Sequence, residues 1–166
     1  FGLVILFFGL FLIIALFTYS PEDPNFIFPD NTEIKNLLGF NGSFISDLFY
    51  QSIGMMSYFF SVTLIFTGIN ILRVKDFFLI IENIFFSIIY LIFGTLFFTH
   101  FFSNGFTLYI NGNGGFVGIY FNETFLNSLI SINETISFYL LIFFILFLFL
   151  ISINFHPFKF YNFVKG

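Results

Sequence analysis

Cysteine is absent, tryptophan is absent, and alanine occurs once, at Ala15. Without cysteine the chain has no disulfides, thiolate metal sites or cysteine nucleophiles, and its redox compartment leaves no mark on the sequence. Charge is almost as scarce. Only 8% of the 166 residues are Asp, Glu, Lys or Arg, where a soluble domain carries about 25%. Five Lys and Arg, scattered among nine Asp and Glu, exclude the basic footprint of a nucleic-acid binder. A chain that is 58% hydrophobic, with mean hydropathy +1.02, lacks the polar surface to cover itself in water. Its solvent is lipid.

What is abundant is phenylalanine, with 35 copies, alongside many Ile and Asn. We read this first as the drift of an A+T-rich genome, and only second as an aromatic binding surface.

A helix needs about 20 apolar residues to cross a hydrocarbon core about 30 Å thick. Four stretches meet that need: about 1–19, 53–72, 77–101 and 136–154. The first begins without Met and reads as a span cut short at its start. No basic residues precede it and no A-x-A-like site follows, so it is a retained helix and not a signal peptide. The period-two alternation of a lipid-facing barrel is missing. The expected fold is therefore all-α, a polytopic membrane protein of four transmembrane helices, with residues 1–166 forming one anchor domain.

Arg73 and Lys75 lie between the second and third stretches, in an inner loop of about 73–76, and Lys159 and Lys165 follow the fourth. With four spans these cations share one side, which the positive-inside rule makes cytoplasmic, with both termini. The outer loops, about 20–52 and 102–135, are rich in Asn and carboxylates. Within them, Ser43, Asp47, Gln51 and Gly54 recur at helical spacing among Phe44, Ile45, Leu48 and Phe49, as in an amphipathic interfacial helix. Phe125, Leu126, Leu129 and Ile130 form a second such stripe. Ser131 to Glu134 fit a capping box at the start of the last span. Asn-Glu-Thr occurs at 122–124 and again at 133–135, which we read as coincidence in an Asn-rich chain.

No constellation for chemistry stands out. Glu82 and Glu134 fall near span ends and read as wetted carboxylates; an acid in mid-span would suggest proton conduction. His100 with Ser103 lacks a nucleophile motif, and His100 and His156 do not make a metal site. Gly112 to Gly115 with Gly118 lacks the Lys and Ser/Thr of a phosphate loop and reads as a turn into a helix. Catalytic, cofactor and metal residues are accordingly expected to be none. In span two, Gly54, Ser57, Ser61 and Gly68 fall on roughly one face, with Thr63, Thr67 and Asn70 nearby. Small residues at that spacing let helices approach closely, within the bundle or between subunits.

The order of motifs carries more than any one of them. Tyr19-Ser20-Pro21-Glu22-Asp23-Pro24 resembles the S-Y-x-P-x-D-P exit from the first span in the N-terminal membrane domain of FtsK/SpoIIIE DNA translocases. Asn36-Leu37-Leu38-Gly39, Gly42, Ile45-Ser46-Asp47-Leu48, Gly54 and Tyr58 are similar to that family's approach to span two. The basic turn Arg73–Lys75 and the segment Gly114-Gly115-Phe116-Val117-Gly118 follow in the family's order. Thr18, Ser46 and Ser57 depart from its usual small residues, Asn25-Phe26 stands where Trp is frequent, and Ser131 to Ser137 replace a second glycine cluster.

The resemblance implies a non-enzymatic membrane anchor of a hexameric, ATP-driven DNA pump in the bacterial inner membrane, at the division septum. Such an anchor oligomerises and contacts other division proteins, while the motor that holds ATP and DNA lies elsewhere in the parent protein. On that reading the outer-loop motif residues are Tyr19, Ser20, Pro21, Asp23, Pro24 and Asp47. The alternative is a small integral subunit of a respiratory or proton-translocating complex.

Overall fold

In the computed structural model, residues 1–24, 33–103 and 110–155 are described. They form seven helices: α1 (Gly2–Phe17), α2 (Gly39–Ile53), α3 (Met56–Val74), α4 (Phe78–Phe101), α5 (Gly115–Asn122), α6 (Phe125–Ile132) and α7 (Glu134–Ser152). The architecture is all-α and membrane-embedded. α3, α4 and α7, of 19, 24 and 19 residues, are long and apolar enough to cross a bilayer. α1 is equally apolar but has 16 residues, which at 1.5 Å per residue gives about 24 Å.

The long helices do not share one central core. α1 packs along α3, α4 packs along α7, and α3 also touches α4 and α7. Two apolar clusters form, one joining α1 and α3 to α2, the other centred on α4 and α7 with Met56 of α3. Leu12, Leu16 and Tyr50 anchor one, with Tyr19, Tyr58 and Phe60 around them. Met56, Tyr90, Leu96, Phe97, Leu141, Ile145 and Leu148 form the other. Phenylalanines fill the second cluster edge to face: the Phe93 and Phe144 centroids lie 5.1 Å apart at 89°, and Phe59 and Phe149 lie 4.9 Å apart at 74°. Such crossings match the positive ring edge to the negative ring face.

Glycine sets the approach of α1 to α3. A Cβ on Gly68 would come within 2.6 Å of the Leu6 backbone nitrogen, and one on Gly9 within 2.9 Å of the Ile65 nitrogen. In lipid, where apolar burial gives no driving force between helices, close backbone packing supplies it. At the opposite end of the pairs from α2, α3 turns into α4 at Lys75, which has φ +60° and donates its N–H to Ile71 O at 2.8 Å. Asp76 then accepts from Phe78 N at 2.9 Å and starts α4.

α2, α5 and α6 form a layer at the other end of the pairs. α2 is the expected amphipathic helix, with its faces inverted relative to a water-soluble one. Ser43, Ser46 and Asp47 are buried against the rest of the chain, while Phe40 and Leu48 are exposed. In a membrane the polar groups need protein partners and the apolar ones can face lipid.

Two details of the sequence reading are corrected. Gly54 does not lie on the span-two helix face; it occupies the turn between α2 and α3 with φ +56°. Ser131 does not cap the last span, since its hydroxyl donates back to Asn127 O at 2.9 Å within α6. Asn133 is the cap instead, its Oδ1 accepting from Ile136 N at 3.1 Å. Thr124, in the first Asn-Glu-Thr, likewise caps α6 through Leu126 N. Both triplets therefore mark helix starts.

Candidate functional site

The site is a fastening of the outer layer built on the end of α1. Three carbonyls close that end, and two of them also accept a backbone N–H, Ile14 O from Thr18 and Leu16 O from Tyr19. Each is met by a side chain. Ile14 O accepts from Thr18 Oγ1 at 2.8 Å, and Ala15 O from Asn36 Nδ2 at 2.9 Å. Leu16 O accepts from the Tyr50 hydroxyl at 2.9 Å and lies 3.4 Å from that of Tyr58.

The proline-containing exit positions those donors. Asp23 N donates to Ser20 O at 3.2 Å across a turn in which Pro21 fixes φ. The Asp23 carboxylate, 1% exposed, accepts from the backbone N–H groups of Lys35 and Asn36, both at 2.8 Å. That pair of bonds sets Asn36 under α1, and Gly42 leaves room for it: a Cβ there would sit 2.2 Å from Asn36 Oδ1. Pro24 O accepts from the Ser43 hydroxyl at 3.0 Å, and the Tyr19 hydroxyl donates to Asp47 Oδ1 at 3.0 Å. Tyr19, Ser20, Asp23, Pro24 and Asp47 are thus drawn into one hydrogen-bonded unit, with exposed Pro21 at its turn.

On the exposed rim of this unit Lys35 pairs with Glu22. The hydrogen bond and the Lys35 charge hold the Glu22 carboxyl below the usual carboxylate range, and the same contact raises Lys35. Because the Glu22 value is depressed, its contribution is present above the unfolded value and is lost as pH falls through the folded one. We expect the small stability difference between wild type and Glu22→Gln to be present at neutral pH and to vanish on acidification. Paired unfolding titrations across the carboxylate range would check this.

A second contact joins the two helix pairs in the outer layer. Met55 N donates to Asn113 O at 2.9 Å, and Asn111 Nδ2 to Gln51 O at 3.2 Å. The chains approach so closely at this crossing that only glycine fits. A Cβ on Gly54 would stand 1.9 Å from Asn113 O, and one on Gly115 2.6 Å from the Ser52 carbonyl carbon. Gly114 and Gly118 then seat α5 against Thr95 and Thr99 of α4.

Deeper in the bundle the two pairs meet along a polar seam. The Thr63 hydroxyl lies 2.9 Å from the Tyr90 hydroxyl and 3.1 Å from that of Ser152. Asn83 Nδ2 donates to Thr67 Oγ1 at 2.8 Å, and Asn154 Nδ2 donates to Asn83 Oδ1 at 3.0 Å. Asn70 Nδ2 donates to Ile153 O at 3.1 Å. The seam is made of uncharged groups, so it ties helices together without the cost of a buried ion. Sequence reading singled out Thr63, Thr67 and Asn70 but missed Asn83, Tyr90, Ser152 and Asn154; an isolated Asn or Ser in an apolar run was the available signal. Asn83→Leu should lower stability by about 1–2 kcal/mol, in the range of interhelical hydrogen bonds in lipid. Unfolding by SDS in mixed micelles would measure it.

Ser57 and Ser61 are buried, the Ser57 hydroxyl donating to Phe49 O at 3.1 Å and the Ser61 hydroxyl to Ser57 O at 2.8 Å. With Gly54 and Gly68 they face neighbours in the same chain. Arg73 and Lys75 are exposed at the α3–α4 turn, and Lys159 lies outside the described residues. Glu82 is exposed on α4. Among the described residues no group of three or more His, Asp or Glu is arranged to hold a metal ion.

Residues 1–163 match the family described as the 4TM region of DNA translocase FtsK/SpoIIIE. No curated protein and no solved structure matches the chain. The family match runs through all seven helices and takes in the α1 exit, the Gly54 crossing and the polar seam. The chain belongs to the FtsK/SpoIIIE DNA translocase family, as its membrane region.

Proposed function

We propose that this chain is the membrane anchor and oligomerisation segment of an ATP-driven DNA translocase acting at the division septum. The observation that carries the reading is the family match over residues 1–163. The anchor crosses the bacterial inner membrane four times, with α1 as the short first span, and both termini are cytoplasmic. The exposed cations Arg73 and Lys75 at the α3–α4 turn support that orientation. A short α1 is accommodated by local thinning of the bilayer at modest cost.

In this reading Gly54, Ser57, Ser61 and Gly68 serve packing within one protomer. Contacts in the hexamer, and with other division proteins, fall to faces that these residues do not line. The segment itself holds no ATP and no DNA.

Reading the coding sequence past Gly166 tests the assignment. A frame that continues through a linker into a GxxxxGK[ST] motor is the expected result; an immediate stop codon would remove the pump. Topology is separable from function because the chain has no cysteine. A single cysteine at Asp76 should be shielded from an impermeant thiol reagent added outside, and one at Glu123 should react.

A further inference from the structure

Between α4, α6 and α7 lies an apolar slot of about 170 Å³, lined by Phe93 and Leu96 of α4, Leu129 and Ile130 of α6, and Leu140 of α7 beside Ser137. For comparison, an apolar cavity of about 150 Å³ stays dry and takes up a benzene-sized guest. Each of the three helices carries a polar residue about one turn along from the slot: His100 after Leu96, Asn127 before Ile130, and Glu134 before Ser137. These three meet. His100 Nδ1 lies 2.6 Å from Asn127 Oδ1, and His100 Nε2 lies 3.9 Å from Glu134 Oε1.

We propose that this is a seat for one phospholipid, with a short stretch of one acyl chain in the slot and an ammonium headgroup at the clasp formed by His100, Asn127 and Glu134. Three observations favour lipid. First, α6, one wall of the slot, turns bare apolar side chains outward, with Phe125 72% and Ile132 79% exposed, a face that suits hydrocarbon better than water. A helix with that face lies in the interface, apolar side down. Second, α4 and α7, which form the other walls, are both membrane-length. Third, the sequence of polar clasp above apolar slot is that of an amphiphile in one leaflet. The Glu134 side chain, 68% exposed, has an open carboxylate edge for a cationic headgroup. A helix of a second copy laid over the slot would instead have to cover that carboxylate in a low-dielectric contact.

The test is native mass spectrometry of the whole chain, extracted in mild detergent and exposed to phosphatidylethanolamine and phosphatidylglycerol. One phosphatidylethanolamine retained per chain is expected for wild type and for the control Phe7→Trp, which alters an exposed position on α1, in the other helix pair. Ser137→Phe, which fills the slot, should lower retention at least tenfold. Glu134→Gln lies at the exposed rim and leaves the packing intact; it should keep a bound lipid but lose the preference for the ethanolamine headgroup. Absence of a retained lipid on wild type would overturn the proposal, as would equal retention by Ser137→Phe when circular dichroism shows it folded. A change of oligomeric state in Ser137→Phe with no loss of lipid would give the slot to a second copy. Should Ser137→Phe fail to fold, an unchanged headgroup preference in Glu134→Gln would alone overturn the clasp.

Discussion

Gly54→Ala should destabilise the chain by about 3 kcal/mol or more, the largest effect of any single methyl group added to it. Two independent costs combine. Gly54 has φ +56° and ψ −135°, a region that an L side chain enters at a cost of about 1–3 kcal/mol. In addition, the new Cβ would stand 1.9 Å from Asn113 O and 2.5 Å from Asn113 C. These are backbone atoms, so no side chain can swing away, and the α2–α3 turn must part from the α5 loop. Overpacking of this kind adds about 1–3 kcal/mol. Gly39→Ala separates the two costs, because Gly39 has φ +64° but nothing within 4 Å of the added carbon. It should show a positive-φ cost with no clash added. SDS unfolding of both variants would measure the difference, and equal losses would mean that the Asn113 contact contributes nothing.

Asp23→Ala should come next, at about 2–3 kcal/mol. The wild-type carboxylate accepts two backbone N–H bonds at 2.8 Å in a buried position, and charge-assisted bonds of this type are about twice as strong as neutral ones. Removing both oxygens leaves the Asn36 N–H unpaired in protein, where water cannot readily replace the partner. The damage spreads to Asn36, whose side chain caps Ala15 O at the end of α1. Asp23→Asn keeps one acceptor oxygen and should lose about half as much. A second readout distinguishes local from global loss. Amide exchange should accelerate at Lys35 and Asn36 in Asp23→Ala, whose N–H groups lose their carboxylate acceptor, while the α4–α7 pair keeps its protection. Uniform acceleration across both pairs would argue against a local fastening.

Much of this molecule is legible in its sequence, and the parts that are not have a common physical cause. Hydropathy marks α4 and α7 to within two residues, because a lipid-facing helix is apolar on every side and needs no periodicity to be seen. The order of Tyr19, Asp23, Asn36, Gly42 and Asp47 marks the outer fastening through its resemblance to a family. What those residues touch is a different matter. Asn83 and Asn154 are 71 residues apart and meet only because α4 and α7 lie side by side. No local pattern encodes such a pairing. The inverted faces of α2 escaped for another reason: amphipathic spacing locates a polar face but does not say which solvent it avoids. Ser131 against Asn133 is a near miss of the same kind, since both residue types cap helices and only the course of the chain decides between them.

The pairwise construction also bears on how the chain is made. α1, α2 and α3 complete their own cluster from residues that precede Lys75. The glycine approach of α1 to α3 likewise needs nothing synthesised later. Helices that insert first associate within the bilayer after insertion, and N-terminal segments emerge first from the ribosome. The first pair thus has all of its own contacts available before the second has been made. The outer crossing waits for Asn113, and the seam waits for Ser152 at the end of α7 and Asn154 two residues beyond it. Those late residues close the domain, so the arrival of the end of α7, and not of α1, is the step that completes its packing.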